Sequence, residues 1–260
     1  MRPIERNARS YKEWICRSSQ NRETRIVLAL DVNDGTREGL LERSERLLKR
    51  TISSVCAVKL GRQTVLNLGA RGTKRLTRIV HGNGIPCIID DKINDIGETN
   101  RAIAEAYFRM GFDGLTANPF TGWRGGLEPL FQLAHQHHHG VILLTYMSHP
   151  GASEGYGQKV VAKGKRTPES QYRSFANDAV RWGADGAVVG ATRPNIIREV
   201  KSILQNKVPI YSPGVGAQGG QLADSSRAGT DYFIIGRSIT RSPRPEKTAL
   251  EYARQSVSID

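Results

Sequence analysis

The chain has 260 residues, 38% of them hydrophobic and 24% charged, enough for a folded core and against wholesale disorder. Lysine and arginine number 38 against 25 acidic residues, and the resulting +13 favours polyanions or phosphorylated ligands without specifying a fold. No run nears the roughly 18 apolar residues of a membrane helix, and Cys16, Cys56 and Cys87, an odd count with no C-x-x-C pair, suggest neither a disulfide framework nor a thiolate metal site.

Residues 1–25 are polar and carry Arg2, Arg6, Arg9, Lys12, Arg17, Arg22 and Arg25. They lack the apolar core of a signal peptide, so a basic N-terminal extension on a cytoplasmic protein is expected. After Arg25, short aliphatic runs bounded by Gly, Pro, Asp or Asn alternate with amphipathic stretches. The runs predict buried strands at 26–30, 55–60, 86–89, 114–117, 141–145, 186–189, 208–211 and 232–235. The stretches between and after them predict helices at 36–50, 62–81, 97–110, 122–138, 168–182, 194–205, 218–228 and 245–256. Strict alternation means parallel strands joined by right-handed crossovers. Eight such units fit a single α/β domain, a (β/α)8 barrel over residues 26–260. An open doubly wound sheet is the other arrangement compatible with the pattern.

In a barrel, chemistry gathers at the C-terminal ends of the strands. Here the first predicted strand leads into Asp31, the second carries Lys59, and the third runs into Asp90, Asp91 and Lys92, with Asp95 close behind. Residues two apart on a strand share a face, so Asp90 and Lys92 are expected to point together into the barrel mouth. A structural ion-pair network would explain one such pair; charges at three consecutive strand ends are harder to dismiss.

Pro213, Gly214, Gly216, Gln218 and Gly219 lie in a glycine-rich segment after the seventh strand. Its G-x-G-x-x-G spacing matches part of a dinucleotide fingerprint, but the eighth strand ends in Gly236 and the cation Arg237 where that fingerprint needs an acid. A phosphate held by backbone N–H groups and Arg237 is the simpler expectation. The loop after the fifth strand, 146–167, is long and basic through Lys159, Lys163, Lys165 and Arg166, as a cover over a bound anion would be. Within it Ser148 is read as a ligand-binding hydroxyl, because adjacent Ser148 and His149 are poorly placed to form a nucleophile and base. The histidines at 135 and 137–139 precede the fifth strand, at the opposite barrel end, and read as a solvated helix end rather than a metal site.

Taken in order, L-A-L-D ending at Asp31, V-K-L-G around Lys59, D-x-K-x-x-D at Asp90, Lys92 and Asp95, M-S-H-P-G-A around Ser148, S-P-G-V-G-A-Q-G-G around Gln218 and I-G-R-S around Arg237 resemble the orotidine 5′-phosphate decarboxylases, above all their compact archaeal-type branch. The resemblance covers about residues 25–241. It implies decarboxylation of orotidine 5′-monophosphate to UMP in pyrimidine biosynthesis, without cofactor or metal, by a (β/α)8 homodimer with shared sites. It also implies that Asp31 and Lys59 meet the ribose and that Lys59, Asp90 and Lys92 form a charged array completed by the partner subunit's Asp95. The partner subunit's Thr99 would reach the ribose region, Ser148 would read the pyrimidine, and Gln218, Gly236 and Arg237 would hold the phosphate beside Pro213. Lys92 would protonate C6.

Two positions depart from the family pattern. Asp91 stands where relatives carry an apolar or aromatic residue and is expected to need a helix-borne cation or an irregular strand. The fourth strand ends in Thr116-Ala-Asn-Pro119 instead of an apolar-His pattern. The competing readings are a metal-dependent 3-keto-gulonate-phosphate decarboxylase or hexulose-phosphate synthase on the same scaffold, and a non-catalytic nucleic-acid-binding protein suggested by the charge alone. No recognised nucleic-acid motif supports the latter.

Overall fold

Eight parallel strands close into a barrel in the computed structural model, which describes residues 10–33, 35–161 and 167–258. The leader cations Arg2, Arg6 and Arg9 and the loop cations Lys163, Lys165 and Arg166 lie outside the described residues. The strands are β1 (Ile26–Ala29), β2 (Ala57–Gly61), β3 (Cys87–Ile93), β4 (Gly114–Ala117), β5 (Gly140–Tyr146), β6 (Gly186–Val189), β7 (Ile210–Pro213) and β8 (Tyr232–Ile235). Each pairs with its neighbours in sequence, and β1 pairs with β8 through Ile26 opposite Phe233. That last pairing closes the sheet and removes the open doubly wound alternative.

Around the barrel run α2 (Arg37–Thr51), α3 (Arg62–Gly82), α4 (Gly97–Arg109), α5 (Glu128–Gln136), α6 (Gln171–Arg181), α7 (Pro194–Leu204), α8 (Leu222–Arg227) and α9 (Pro245–Val257), all preceded in the chain by α1 (Tyr11–Asn21). Their starts follow ordinary capping chemistry. The Thr36 side chain accepts the Gly39 N–H, and Pro194 and Pro245 open their helices where the missing N–H costs nothing. The helix expected over 122–138 begins only at Glu128. Gly122, Gly125 and Gly126 leave the preceding segment as irregular turns that carry Trp123 onto Phe131 and Trp182. The loop after β5 contains a small antiparallel pair, Lys159–Val160 with Glu169–Ser170, that periodicity did not foretell.

The strands are buried on both faces, so two cores form. Ile26, Leu28, Leu60, Ile89, Leu115, Val141 and Phe233 point outward against the helices. Val27, Ala57, Ile88, Ile142, Val188 and Ile234 fill the barrel interior.

The segment read as a basic extension contributes α1, and α1 joins the inner core. Ser10 caps it, and Tyr11 and Ile15 are fully buried among the interior side chains. The Tyr11 ring occupies the space above Gly114 and Gly140, where a β-carbon on Gly140 would sit 2.2 Å from the ring. A larger residue at the start of β5 would therefore evict the ring. Ser18 donates to the Cys56 carbonyl at 2.6 Å and ties the helix to the approach to β2.

Three Gly-x-Asp sequences recur where a helix hands over to β4, β6 and β8. In each, the aspartate reaches sideways and accepts the N–H of a residue on the preceding strand: Asp113 from Cys87, Asp185 from Val141, and Asp231 from Ile210. Each also meets a cationic or imidazole partner on a helix, respectively His81, Lys201 for Asp231, and His135 for Asp185. These pairs sit at the N-terminal rim and fasten strand to strand there. The histidine tract thus belongs to the floor end of the barrel, with His139 stacked 3.9 Å from Phe108. Among the described residues no cluster of three or more His, Cys, Asp or Glu is arranged to hold a metal ion.

Candidate active site

A cavity of about 440 Å³ opens at the C-terminal end of the barrel. Asp31, Lys59, Asp90, Lys92, Ser148, Pro213, Gln218, Gly236 and Arg237 all line it. A larger cavity, about 580 Å³, lies at the rim of the opposite face beside Trp14, Phe108 and His137–His139, and holds none of the strand-end charges.

The sequence places the charges there for a simple reason. Apolar residues fill the interior-facing positions of β1, β2 and β3 near the floor, and polar residues follow at the same phase towards the mouth. Lys59 continues the inward row begun by Ala57, and Asp90 and Lys92 continue the row begun by Ile88. The Lys59 ammonium, 5% exposed as a residue, lies 2.9 Å from Asp90 Oδ2 and 3.3 Å from Asp31 Oδ2. Lys92 Nζ reaches Asp90 Oδ1 at 2.6 Å. Asp31 is fixed in turn by the Gly61 N–H, which donates to its Oδ1 at 2.8 Å.

Burial alone would push the Asp90 carboxyl up, but Lys59 and Lys92 reverse this and hold it well below the usual carboxylate range. Burial likewise works against the Lys59 charge. The carboxylates of Asp90 and Asp31 outweigh it, so Lys59 stays protonated beyond the ordinary lysine range. The array is therefore an alternating chain of fixed charges, with the more exposed Lys92 at its free end.

β3 reaches Lys92 by an irregular route. Ile89 pairs with Leu115 and Ile93 with Ala117, so Asp90, Asp91 and Lys92 together stand opposite Thr116 alone. Lys92 adopts φ +58, the left-handed region that residues with side chains seldom enter. The bulge keeps the inward–outward alternation, and Asp91 turns out towards the helices. There Arg62 Nε on α3 lies 3.0 Å from its carboxylate, and Tyr107 on α4 also bonds to it. Both expectations for Asp91 hold, a helix-borne cation and an irregular strand. Its burial raises the carboxyl's pKa, and Arg62 and Tyr107 only partly offset that rise.

Across the cavity, the glycine-rich loop after β7 folds back on itself, with the Gly219 N–H donating to the Gly216 carbonyl and the Gly220 N–H to the Gly214 carbonyl. Gln218 packs beside Gly214, and Arg237 opens a single helical turn directly after β8. Arg241, one turn further on, also lines the cavity and adds a second cation beside Arg237. No motif had marked it. Gln63, Thr116 and Met147 also line the cavity, Gln63 next to Asp31.

Asp95 and Thr99 are not brought to this cavity within one chain. Asp95 is exposed, its Oδ1 accepting the Ile96 N–H, and Thr99 lies on the first turn of α4.

Residues 24–252 match the orotidine 5′-phosphate decarboxylase / HUMPS family. The orotidine 5′-phosphate decarboxylase of Methanosarcina mazei is 36% identical over 234 residues, covering 90% of this chain and 96% of its own. Among solved structures, the UMP synthase of Leishmania donovani superposes with a TM-score of 0.86 at 25% identity over 96% of this chain, which spans only 56% of that longer protein. The orotidine 5′-monophosphate decarboxylase of Methanocaldococcus jannaschii, solved with the inhibitor BMP, gives 0.74 at 28% identity and covers 89% of this chain and 97% of its own. With the barrel, the charged array and the glycine-rich loop in place, this match over most of the sequence establishes that the chain belongs to the orotidine 5′-phosphate decarboxylase / HUMPS family.

Proposed function

We propose that the protein converts orotidine 5′-monophosphate to UMP and CO2 in the cytoplasm, without a cofactor. The observation that carries this reading is the Lys59–Asp90–Lys92 array at one side of a mouth whose other side is the loop of Gln218 with Arg237.

The residue types suit the chemistry. Cleavage of the bond from C6 to the carboxylate leaves the electron pair on C6, and in this reading the protein's own charges, not a cofactor, stabilise it. The Lys92 ammonium stabilises that pair and then gives its proton to C6, so the C–C bond is replaced by C–H. Asp90, held ionised by its two lysines, lies beside the departing carboxylate. Two unit charges about 4 Å apart interact by roughly 4 kcal/mol at an effective dielectric of 20, a repulsion relieved as CO2 leaves. Lys59 and Asp31 hold the ribose hydroxyls and Ser148 reads the pyrimidine edge. Gln218, Arg237 and the Gly236 backbone take the phosphate beside Pro213. Phosphate binding far from C6 can then be spent on closing the site.

Two chains complete one site in this reading, the partner subunit's Asp95 extending the array and the partner subunit's Thr99 reaching the ribose. This fits the exposure of Asp95 and its absence from its own chain's cavity.

Absorbance-monitored turnover of orotidine 5′-monophosphate, with and without EDTA, tests the reaction. EDTA-insensitive production of UMP is expected. Activity restricted to a sugar phosphate and abolished by EDTA would overturn the reading in favour of the metal-dependent relatives on this scaffold. Mixing Lys92→Ala with Asp95→Asn tests the shared site. In a statistical mixture of dimers, one intact site per hybrid restores about a quarter of wild-type activity; no recovery would remove Asp95 from the shared site.

A further inference from the structure

The bulge in β3 brings a backbone group onto a side chain of the neighbouring strand. Three residues of β3 face one residue of β4, and the Lys92 N–H lies inside this bulge. It donates to the side chain of Thr116, N to Oγ1 3.0 Å. The same hydroxyl donates its own proton to Asp90 Oδ1 at 2.9 Å, the oxygen that also receives Lys92 Nζ at 2.6 Å. Thr116 is 3% exposed and lines the cavity. A hydroxyl can accept one hydrogen bond and donate another at once, so a single oxygen joins the backbone of Lys92 to the carboxylate its ammonium touches.

We propose that Thr116 is a positioning residue for the reaction, a clamp that holds Lys92 in its left-handed backbone conformation and orients the Asp90 carboxylate so that the ammonium is aimed at C6. A left-handed conformation at a residue with a side chain persists only where its surroundings over-determine it. Here the surroundings include the Thr116 hydroxyl on the backbone, the Asp90 carboxylate on the ammonium and the flanking Ile89 and Ile93 pairings. The inference rests on the decarboxylase reading for its kinetic consequence, though the clamp itself is geometry.

Valine is nearly isosteric with threonine but neither accepts nor donates, whereas serine keeps the hydroxyl. In the full-length protein, Thr116→Val is expected to lower kcat by about tenfold to a hundredfold, the order expected when a reacting group is displaced by a fraction of an ångström to an ångström. The KM for orotidine 5′-monophosphate and the Kd for UMP are expected to stay within about threefold, since the phosphate and ribose contacts lie elsewhere. Thr116→Ser is expected to restore kcat to within about threefold of wild type. Unchanged kcat in Thr116→Val would overturn the proposal. So would an equal loss in both variants, which would mean that shape rather than the hydroxyl matters, or a loss confined to KM, which would make Thr116 a substrate contact.

A readout that needs no turnover separates this from the reaction reading. With 13C at lysine Cε, the Lys92 resonance, assigned by its loss in Lys92→Arg, is expected to move in Thr116→Val and stay in place in Thr116→Ser. Were the wild type unable to decarboxylate orotidine 5′-monophosphate, that pattern would sustain the clamp and sink the reaction. A resonance indifferent to both variants would sink the clamp whatever the turnover.

Discussion

Asp90 receives an ammonium on each carboxylate oxygen, Lys59 on one and Lys92 on the other, and this sets how the site answers to pH. Its folded pKa lies below that of an unfolded aspartate, about 3.9, so the unfolded chain binds more protons as pH falls. The stability contributed by Asp90 is therefore full above about pH 4 and is lost as acid drives the pH down towards the folded value. Lys59 has the opposite sign: raised above about 10.4, it contributes fully below that value and is lost only on the alkaline side. Denaturant midpoints measured from pH 6 down to pH 3 should fall more steeply for wild type than for Asp90→Asn. Equal slopes would mean that Asp90 is not held ionised by its neighbours. Lys92→Ala should cut turnover by about four orders of magnitude, as removal of both a proton donor and a charge stabiliser would. Calorimetric binding of UMP should remain detectable, because the phosphate contacts are untouched. The inward phase of Lys59, Asp90 and Lys92 was legible from the alternation of side chains along a strand. Thr116 was not, because its importance comes from a bulge in the neighbouring strand, and a shift in pairing leaves no mark in either strand's own periodicity.

At the scale of elements, all eight barrel strands were legible in place and order, since short aliphatic runs buried on both faces have few other homes. β4, β6 and β8 have the expected bounds, whereas β2 and β7 begin two residues later than expected and β3 continues through its charges to Ile93, further than apolar content alone indicates. α1 escaped the same reasoning. Its polar composition hides a face of only Tyr11, Ile15 and Ser18, too narrow a stripe to stand out in a segment, residues 1–25, that carries seven basic residues. Yet this face closes the barrel interior, and its fit can be measured as a coupling. Tyr11→Ala should destabilise the fold by about 3–5 kcal/mol, the usual range for deleting a large buried ring. Gly140→Ala should also destabilise, through the collision with that ring. Combined, the two should cost much less than their sum, because alanine at 140 enters the space the ring has left. Additive losses in chemical denaturation would show that the contact does not govern either site.

For the molecule as a whole, the +13 charge is a field rather than a fold determinant. A dianionic nucleotide approaching a mouth lined by Lys59, Lys92, Arg237 and Arg241 is drawn in over distances set by the Debye length, about 8 Å at physiological salt. Raising sodium chloride should therefore lower kcat/KM by about tenfold while kcat, measured at saturation, changes little. A parallel fall in kcat would place the salt effect on the chemical step instead. Among the described residues no helix is long and apolar enough to cross a membrane.

α1 has a further consequence, one of time. Tyr11 belongs to a helix that can form early, but the surfaces it must meet are Gly114, Gly140 and the interior cluster that includes Tyr211 and Tyr232. Contacts so distant along the chain carry the loop-closure cost that slows folding. During synthesis the helix emerges before any of these strands, so its tyrosine cannot reach full burial until they have been made. The floor of this barrel is thus among the first parts made yet depends on later ones for its cover, and an incomplete barrel is expected to show it as an exposed, protease-sensitive helix.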